Sequence, residues 1–223
     1  MRSSGPPASA SPGPDVAWFA RVATQVRAGV LAAGYAPDSC VASTRVLIEV
    51  LRVWGVSAVP VEAQVSVFNA AAMDIVRAEG FPALGQALMG TSAATPGGAW
   101  SVGVGVLRPG EIALPAGDPF APDSVGHVLG YVPSAGVLVD ASIDQATREH
   151  KDLVVAPLAV AAVRPDDAPV WVDVAMPGGV GAVVFDPADT GRYRRSRNWR
   201  LDAVNTSIVG AVVRALRAQD AAR

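Results

Sequence analysis

The chain has 223 residues, room for one domain with a sizeable core or at most two small ones. Hydrophobic residues make up 51% and charged residues 17%, which excludes an intrinsically disordered chain. A formal net charge of −2 gives no electrostatic reason to expect nucleic acid or an anionic membrane as partner. The longest apolar run, residues 153–163, is broken by Pro157 and falls well short of the roughly 20 residues of a membrane span.

Residues 1–14 form a Pro/Ser/Gly tail too poor in apolar side chains to order alone, and they lack the apolar stretch of a secretory signal. The single cysteine excludes an internal disulfide and fits a reducing compartment, so a cytoplasmic protein is expected. One cysteine and two histidines make a structural zinc site an unpromising reading, and no metal or cofactor is expected.

Asp15 is placed to cap a first helix running to about Ala33 and closed by Gly34, with Val16, Phe19, Val22, Ala23 and Val26 as its apolar stripe. Pro37-Asp38-Ser39 reads as the start of a second helix that ends at Gly55, after Trp54. Residues 58–69 alternate, with Val59, Val61, Ala63, Val65 and Val67 on one face and Glu62, Gln64 and Ser66 on the other, the pattern of a half-buried strand. A helical region over residues 71–89 breaks near Gly80-Phe81-Pro82. A strand over 97–107, a Pro/Gly-rich loop to 122, a hairpin of strands 125–132 and 137–141, and strands 170–175 and 180–185 follow. The last helix spans about 201–218, with Val204, Ile208, Val212 and Leu216 on one stripe. Helices first, then strands, then a helix give an α+β class and one domain over residues 15–223.

Cys40 falls in the first turn of the second helix, where the helix dipole favours a thiolate. Helical spacing groups it with Thr44, Leu47, Leu51 and Trp54 on the inward stripe and sets Arg45, Glu49 and Arg52 toward water. Free cysteines often only fill space in a core, so the neighbours must decide.

His127 and Asp140 lie on the two strands of the hairpin. A loop of two residues or four sets Val132 opposite Val137, Leu129 opposite Asp140 and His127 opposite Ser142. His127 and Asp140 are then diagonal neighbours on one face, close enough for the carboxylate to orient the ring. A three-residue loop turns Asp140 to the other face, so a triad requires an even loop.

The stretch from Cys40, with Leu51, Arg52, Gly55 and Val56 ahead of a strand, resembles the cysteine helix of the transglutaminase-like (papain-like) superfamily. The segment from His127 through Tyr131, Gly136 and Asp140-Ala141-Ser142 resembles that family's histidine strand, turn and aspartate strand. Arylamine N-acetyltransferases share this order. The likeness covers residues 37–69 and 126–144; Leu129 and Val137 stand where the family often has tryptophan. It implies a cysteine helix packed on an antiparallel sheet carrying His and Asp. It also implies a cysteine peptidase, amidase or acyltransferase working through a thioester on a peptide, amide or acyl substrate. Cys40 would be nucleophile, His127 base and then acid, and Asp140 its orienter. The Cys40 backbone N–H would serve the oxyanion with one further donor, for which Gln64 is a candidate.

Gly103 and Gly105 are followed by no helix and form no dinucleotide loop, and no G-x-S-x-G elbow occurs. His150 is expected in solvent. Residues 192–200 carry five arginines with Tyr193 and Trp199 between them. That composition supports a rival reading as a catalytically inactive binding module of the same fold that meets nucleic acid; a third reading has it dock an anionic acyl carrier or a coenzyme A tail for an acyltransferase. Pairing of those arginines with Asp186, Asp189 or Asp202 is the simpler expectation.

Overall fold

The computed structural model describes residues 15–35, 39–90, 97–104, 127–161, 169–188 and 191–222. The expected tail, the Pro37-Asp38 start signal, the loop to 122, residues 125 and 126, and Asp189 lie outside them. Elements in chain order are α1 (Val16–Ala32), α2 (Cys40–Val53), β1 (Val59–Phe68), α3 (Ala70–Glu79), α4 (Phe81–Gly90) and β2 (Ser101–Val104). Then come β3 (His127–Val132), β4 (Val137–Asp140), β5 (Leu158–Ala161), β6 (Val170–Met176), β7 (Gly179–Ala188) and α5 (Ala203–Ala221). The α+β class is as expected. Among the described residues no helix is long and apolar enough to cross a membrane.

Local signals set most boundaries. Asp15 caps α1 by accepting from the Trp18 N–H at 3.1 Å, and Gly34 and Gly55 take the positive φ that ends α1 and α2. Gly80, also at positive φ, separates α3 from α4. Asn69 caps α3 through the Ala72 N–H and donates to the carbonyls of Gly98 and Lys151, fastening the far end of β1 to two distant segments.

The strands form one antiparallel sheet in the order β5-β4-β3-β1-β7-β6. One edge of β1 is shared: β3 pairs with its first half and β2 with its second, while β7 takes the other edge. The pattern 158–161, read only as part of an apolar run, is strand β5 on β4. Alternation then sorts the side chains. Val132, Val137 and Val139 meet α1, α2 and α5 in one core, and Ala63, Val65, Val67, Leu129, Leu138 and Phe185 build a second core on the opposite face.

Two stripe assignments need correction. Glu49 is buried, not solvated, because α5 and the turns over 192–199 cover that side of α2, and it is paired with Arg45 and Arg52. On α5, Ile208, Val212 and Leu216 are buried, but Val204 is 48% exposed and Asn205 takes the inward place. Asn205 accepts from the Tyr35 hydroxyl and donates to the Arg200 carbonyl, bonds that valine lacks.

Gly130 lets α2 approach β3: a Cβ built there lies 2.9 Å from Leu47 Cδ2, a fully buried side chain. Gly130→Val is therefore expected to cost about 1–3 kcal/mol by overpacking. Gly103→Ala on β2, where a Cβ meets nothing within 4 Å, stays within about 0.5 kcal/mol. Urea unfolding of the two variants checks the contrast.

Candidate active site

Cys40 is the first residue of α2. Ser39 occupies the N-cap position but makes no side-chain cap bond; its hydroxyl instead accepts from Arg27 at 3.2 Å. Thr44, one turn on and buried, donates its hydroxyl to the Val128 carbonyl at 2.7 Å, tying the start of the cysteine helix to the residue after His127. Cys40 itself is 7% exposed and packs with Val41, Val128 and Tyr193.

The hairpin turn covers residues 133–136, an even loop, and the ladder pairs Val132 with Val137, Tyr131 with Leu138 and Gly130 with Val139. That register leaves His127 and Asp140 on one face, and His127 Nε2 lies 2.6 Å from Asp140 Oδ2. Both side chains are 0% exposed. The other carboxylate oxygen of Asp140 accepts the Ser142 N–H at 2.9 Å and faces the Ser142 hydroxyl at 3.5 Å. A buried carboxylate so held has both its oxygens engaged and a fixed direction.

Burial works to lower the His127 pKa. The Asp140 charge and hydrogen bond, with smaller contributions from the hydrogen bond and charge of Cys40, outweigh it and raise the imidazole to about 10. Asp140 takes Nε2, the Cys40 thiol also hydrogen-bonds the imidazole, and the Gln145 carboxamide nitrogen lies 2.6 Å from Nδ1. A carboxamide suits this place because it carries both a donor and an acceptor: N–H₂ for a neutral Nδ1, oxygen for a protonated one.

Gln145 and Arg27 were missed in the sequence. Gln145 sits in a 3-10 turn (Ile143–Ala146) whose buried Ile143 and Ala146 pin it, and its partner His127 comes from another strand, so no local pattern singled it out. Arg27 lies four residues after buried Ala23, on the apolar stripe of α1, where a charge needs a partner. It has one: Arg27 Nε is 2.8 Å from the Asp144 carboxylate, and the same guanidinium reaches Ser39. One buried side chain thus ties α1 to the residue before Cys40 and to the residue before Gln145.

Gln64, the candidate oxyanion donor, is half-buried on β1 next to Ala63, which stands opposite His127 in the ladder. It lines an open groove rather than touching the His–Asp pair. His150 is exposed, as expected.

The arginine segment folds as two 3-10 turns, Arg192–Arg195 and Arg197–Trp199, held by Glu62, whose carboxylate accepts the N–H groups of Gly191 and Tyr193. Tyr193 is buried against Cys40, Trp199 meets it edge-on at 4.6 Å, and Arg45 stacks on Trp199. Both aromatics interleaved with the arginines are engaged in packing over the start of α2, Tyr193 buried and Trp199 partly so.

No family model, no curated protein and no solved structure matches the chain.

Because the folded His127 pKa of about 10 lies above the unfolded value near 6.5, its contribution to stability is complete below about pH 6.5 and is lost as pH rises through 10. The unfolding free energy is expected to decline over that window, and His127→Gln to flatten the decline; urea titrations at several pH values measure both. Arg27→Met is expected to cost about 1–3 kcal/mol, since Asp144 and Ser39 lose a charged donor in a largely buried place. Arg27→Lys, which cannot span both partners with a planar fork, recovers only part of the loss.

Proposed function

We propose that the chain is a cysteine-dependent acyl-transfer enzyme of transglutaminase-like (papain-like) fold, with Cys40 as nucleophile, His127 as acid and base, and Asp140 as orienter. The observation that carries this reading is the buried imidazole bonded to Asp140 on one nitrogen at 2.6 Å and hydrogen-bonded as well to the thiol at the start of α2. A histidine that only filled space would need no carboxylate, and a core cysteine would need no imidazolium beside it.

An imidazole raised to about 10 is protonated at neutral pH. The attacking group in such a site is the sulfur anion, and the start of α2 sets its unpaired backbone N–H groups beside Cys40. The Cys40 sulfur adds to the substrate carbonyl carbon, and the oxygen takes up the electron pair as an oxyanion facing the helix N-terminus. His127 then passes its proton to the leaving amine, the carbon–nitrogen bond breaks, and a thioester remains. In the second half His127 removes a proton from the incoming water or amine, which attacks the thioester and releases the thiolate. Asp140 keeps the ring in place throughout.

Iodoacetamide labelling of the full chain from pH 5 to 9, followed by intact mass, tests the reading. Rapid modification of Cys40 below pH 7 is expected. An ordinary thiol is only about 0.3% ionised at pH 6, so His127→Ala should slow the reaction there by one to two orders of magnitude. Labelling confined to pH above 8, or seen only on unfolding, assigns Cys40 to the core and ends the catalytic reading.

A further inference from the structure

Three of the helices are closed at their starts by a side chain. Asp15 accepts from the Trp18 N–H, Asn69 from the Ala72 N–H and Asp202 from the Asn205 N–H, each from extended backbone and each three residues on. The cysteine helix departs from this pattern. Ser39 holds its N-cap position, and serine caps about as well as aspartate or asparagine. Yet its backbone (φ −95°, ψ 36°) is not extended and its side chain makes no cap bond. Its hydroxyl accepts from Arg27 Nη1 at 3.2 Å instead.

The groups such a cap would serve are left over. Val41 and Ala42, the second and third residues of α2, are buried, and among the described residues their N–H groups have no acceptor. The hydroxyl of fully buried Ser43 also has no partner. Side chains on a helix lean toward its N-terminus, so that hydroxyl is directed at the same first turn. Buried donors without acceptors cost free energy, and a capping serine would relieve one of them. Arg27 stands in the way. Its guanidinium is buried and its Nε is 2.8 Å from the Asp144 carboxylate, so the fork that holds Asp144 also holds the Ser39 hydroxyl away from the helix. The residue at the centre of these unmet donors is Cys40, first in the helix and hydrogen-bonded to the His127 imidazole.

We infer that Arg27 is a positioning residue for Cys40: by drawing the Ser39 hydroxyl onto its guanidinium, it keeps the first-turn N–H groups of α2 open to the negative charge that develops on the sulfur and on the substrate oxygen. The inference rests on the acyl-transfer reading above and adds a residue that controls the same site. Donors already aimed at the place where charge appears stabilise it without reorganising, and a donor turned to a serine oxygen is lost to that task. Arg27 acts through Ser39 rather than on the reacting atoms.

Iodoacetamide labelling of the full chain at pH 6 and at pH 9 tests it, because the ratio of the two rates cancels any change in access to the thiol. Arg27→Met is expected to lower the ratio about fivefold or more, the scale of a helix cap and its terminal charge. Adding Ser39→Ala should raise it again by roughly threefold, since no hydroxyl is then left to cap. Deleting a hydroxyl repairs neither a lost charge nor a loosened turn, so an Arg27 with a purely structural role gives no such rise. Amide exchange at Ala42, followed by NMR, should slow in Arg27→Met and return to its original rate in the double variant. Ser39→Ala alone should leave the labelling ratio within about twofold, and it decides the matter if Arg27→Met does not fold. An unchanged ratio or unchanged Ala42 exchange in Arg27→Met, no rise on adding Ser39→Ala, or a larger fall in Ser39→Ala alone overturns the inference while the reactive cysteine stands. No labelling of the folded, unsubstituted chain at pH 6 ends the acyl-transfer reading, and this role of Arg27 with it.

Discussion

A charged imidazole and a carboxylate 2.6 Å apart and wholly removed from water make the most demanding contact in this fold. Burying such a pair costs several kcal/mol per ion unless every remaining polar position is met. Much of the surrounding structure follows from that demand. Ser142 satisfies the second oxygen of Asp140, Gln145 satisfies the second nitrogen of His127, and Arg27 holds the turn that carries Gln145. Thr44 then fixes the cysteine helix against the same strand. Remove any one of these and the pair is left with an unmet group in a dry place, or the thiol loses its station beside the ring.

The hairpin shows how a sequence specifies such a pair without naming its partners. Side-chain parity and an even turn were enough to bring Asp140 to His127, because a strand offers only two faces and a one-residue slip would turn Asp140 away from His127. The same parity on β1 separated the Ala63, Val65, Val67 face from the Gln64, Ser66 row. The helix readings were weaker for a physical reason. A helix that is covered on nearly all sides has no clean polar face, so Glu49 looked solvated when α5 and the arginine turns close over it. Asn205 displaced Val204 on the inward stripe because it serves three segments with hydrogen bonds, a role invisible to hydrophobic periodicity. Gln145 and Arg27 were illegible for a related reason: their partners come from segments far away in the chain, and only the folded register brings them together.

The arginine segment carries a similar lesson about composition. Five arginines with two aromatics between them suggest an anion-binding surface when written in a line. Folded, the aromatics point at Cys40 and α2, and Glu62 gathers the turn by two backbone N–H groups. Its aromatic content therefore belongs to packing against the start of the cysteine helix.

The edge of β1 explains how the two halves of the site meet across so long an interval of sequence. β2 ends at Val104, opposite Val65, and β3 begins at His127, opposite Ala63, on the same edge. The described ends of β2 and β3 thus fall two positions apart on one edge of β1. At that point on the sheet Asp140 holds His127 Nε2 from β4, the second strand along from β1, and the cysteine at the start of α2 hydrogen-bonds the same imidazole, so the two ladders and one helix start are enough to gather residues 40, 127 and 140.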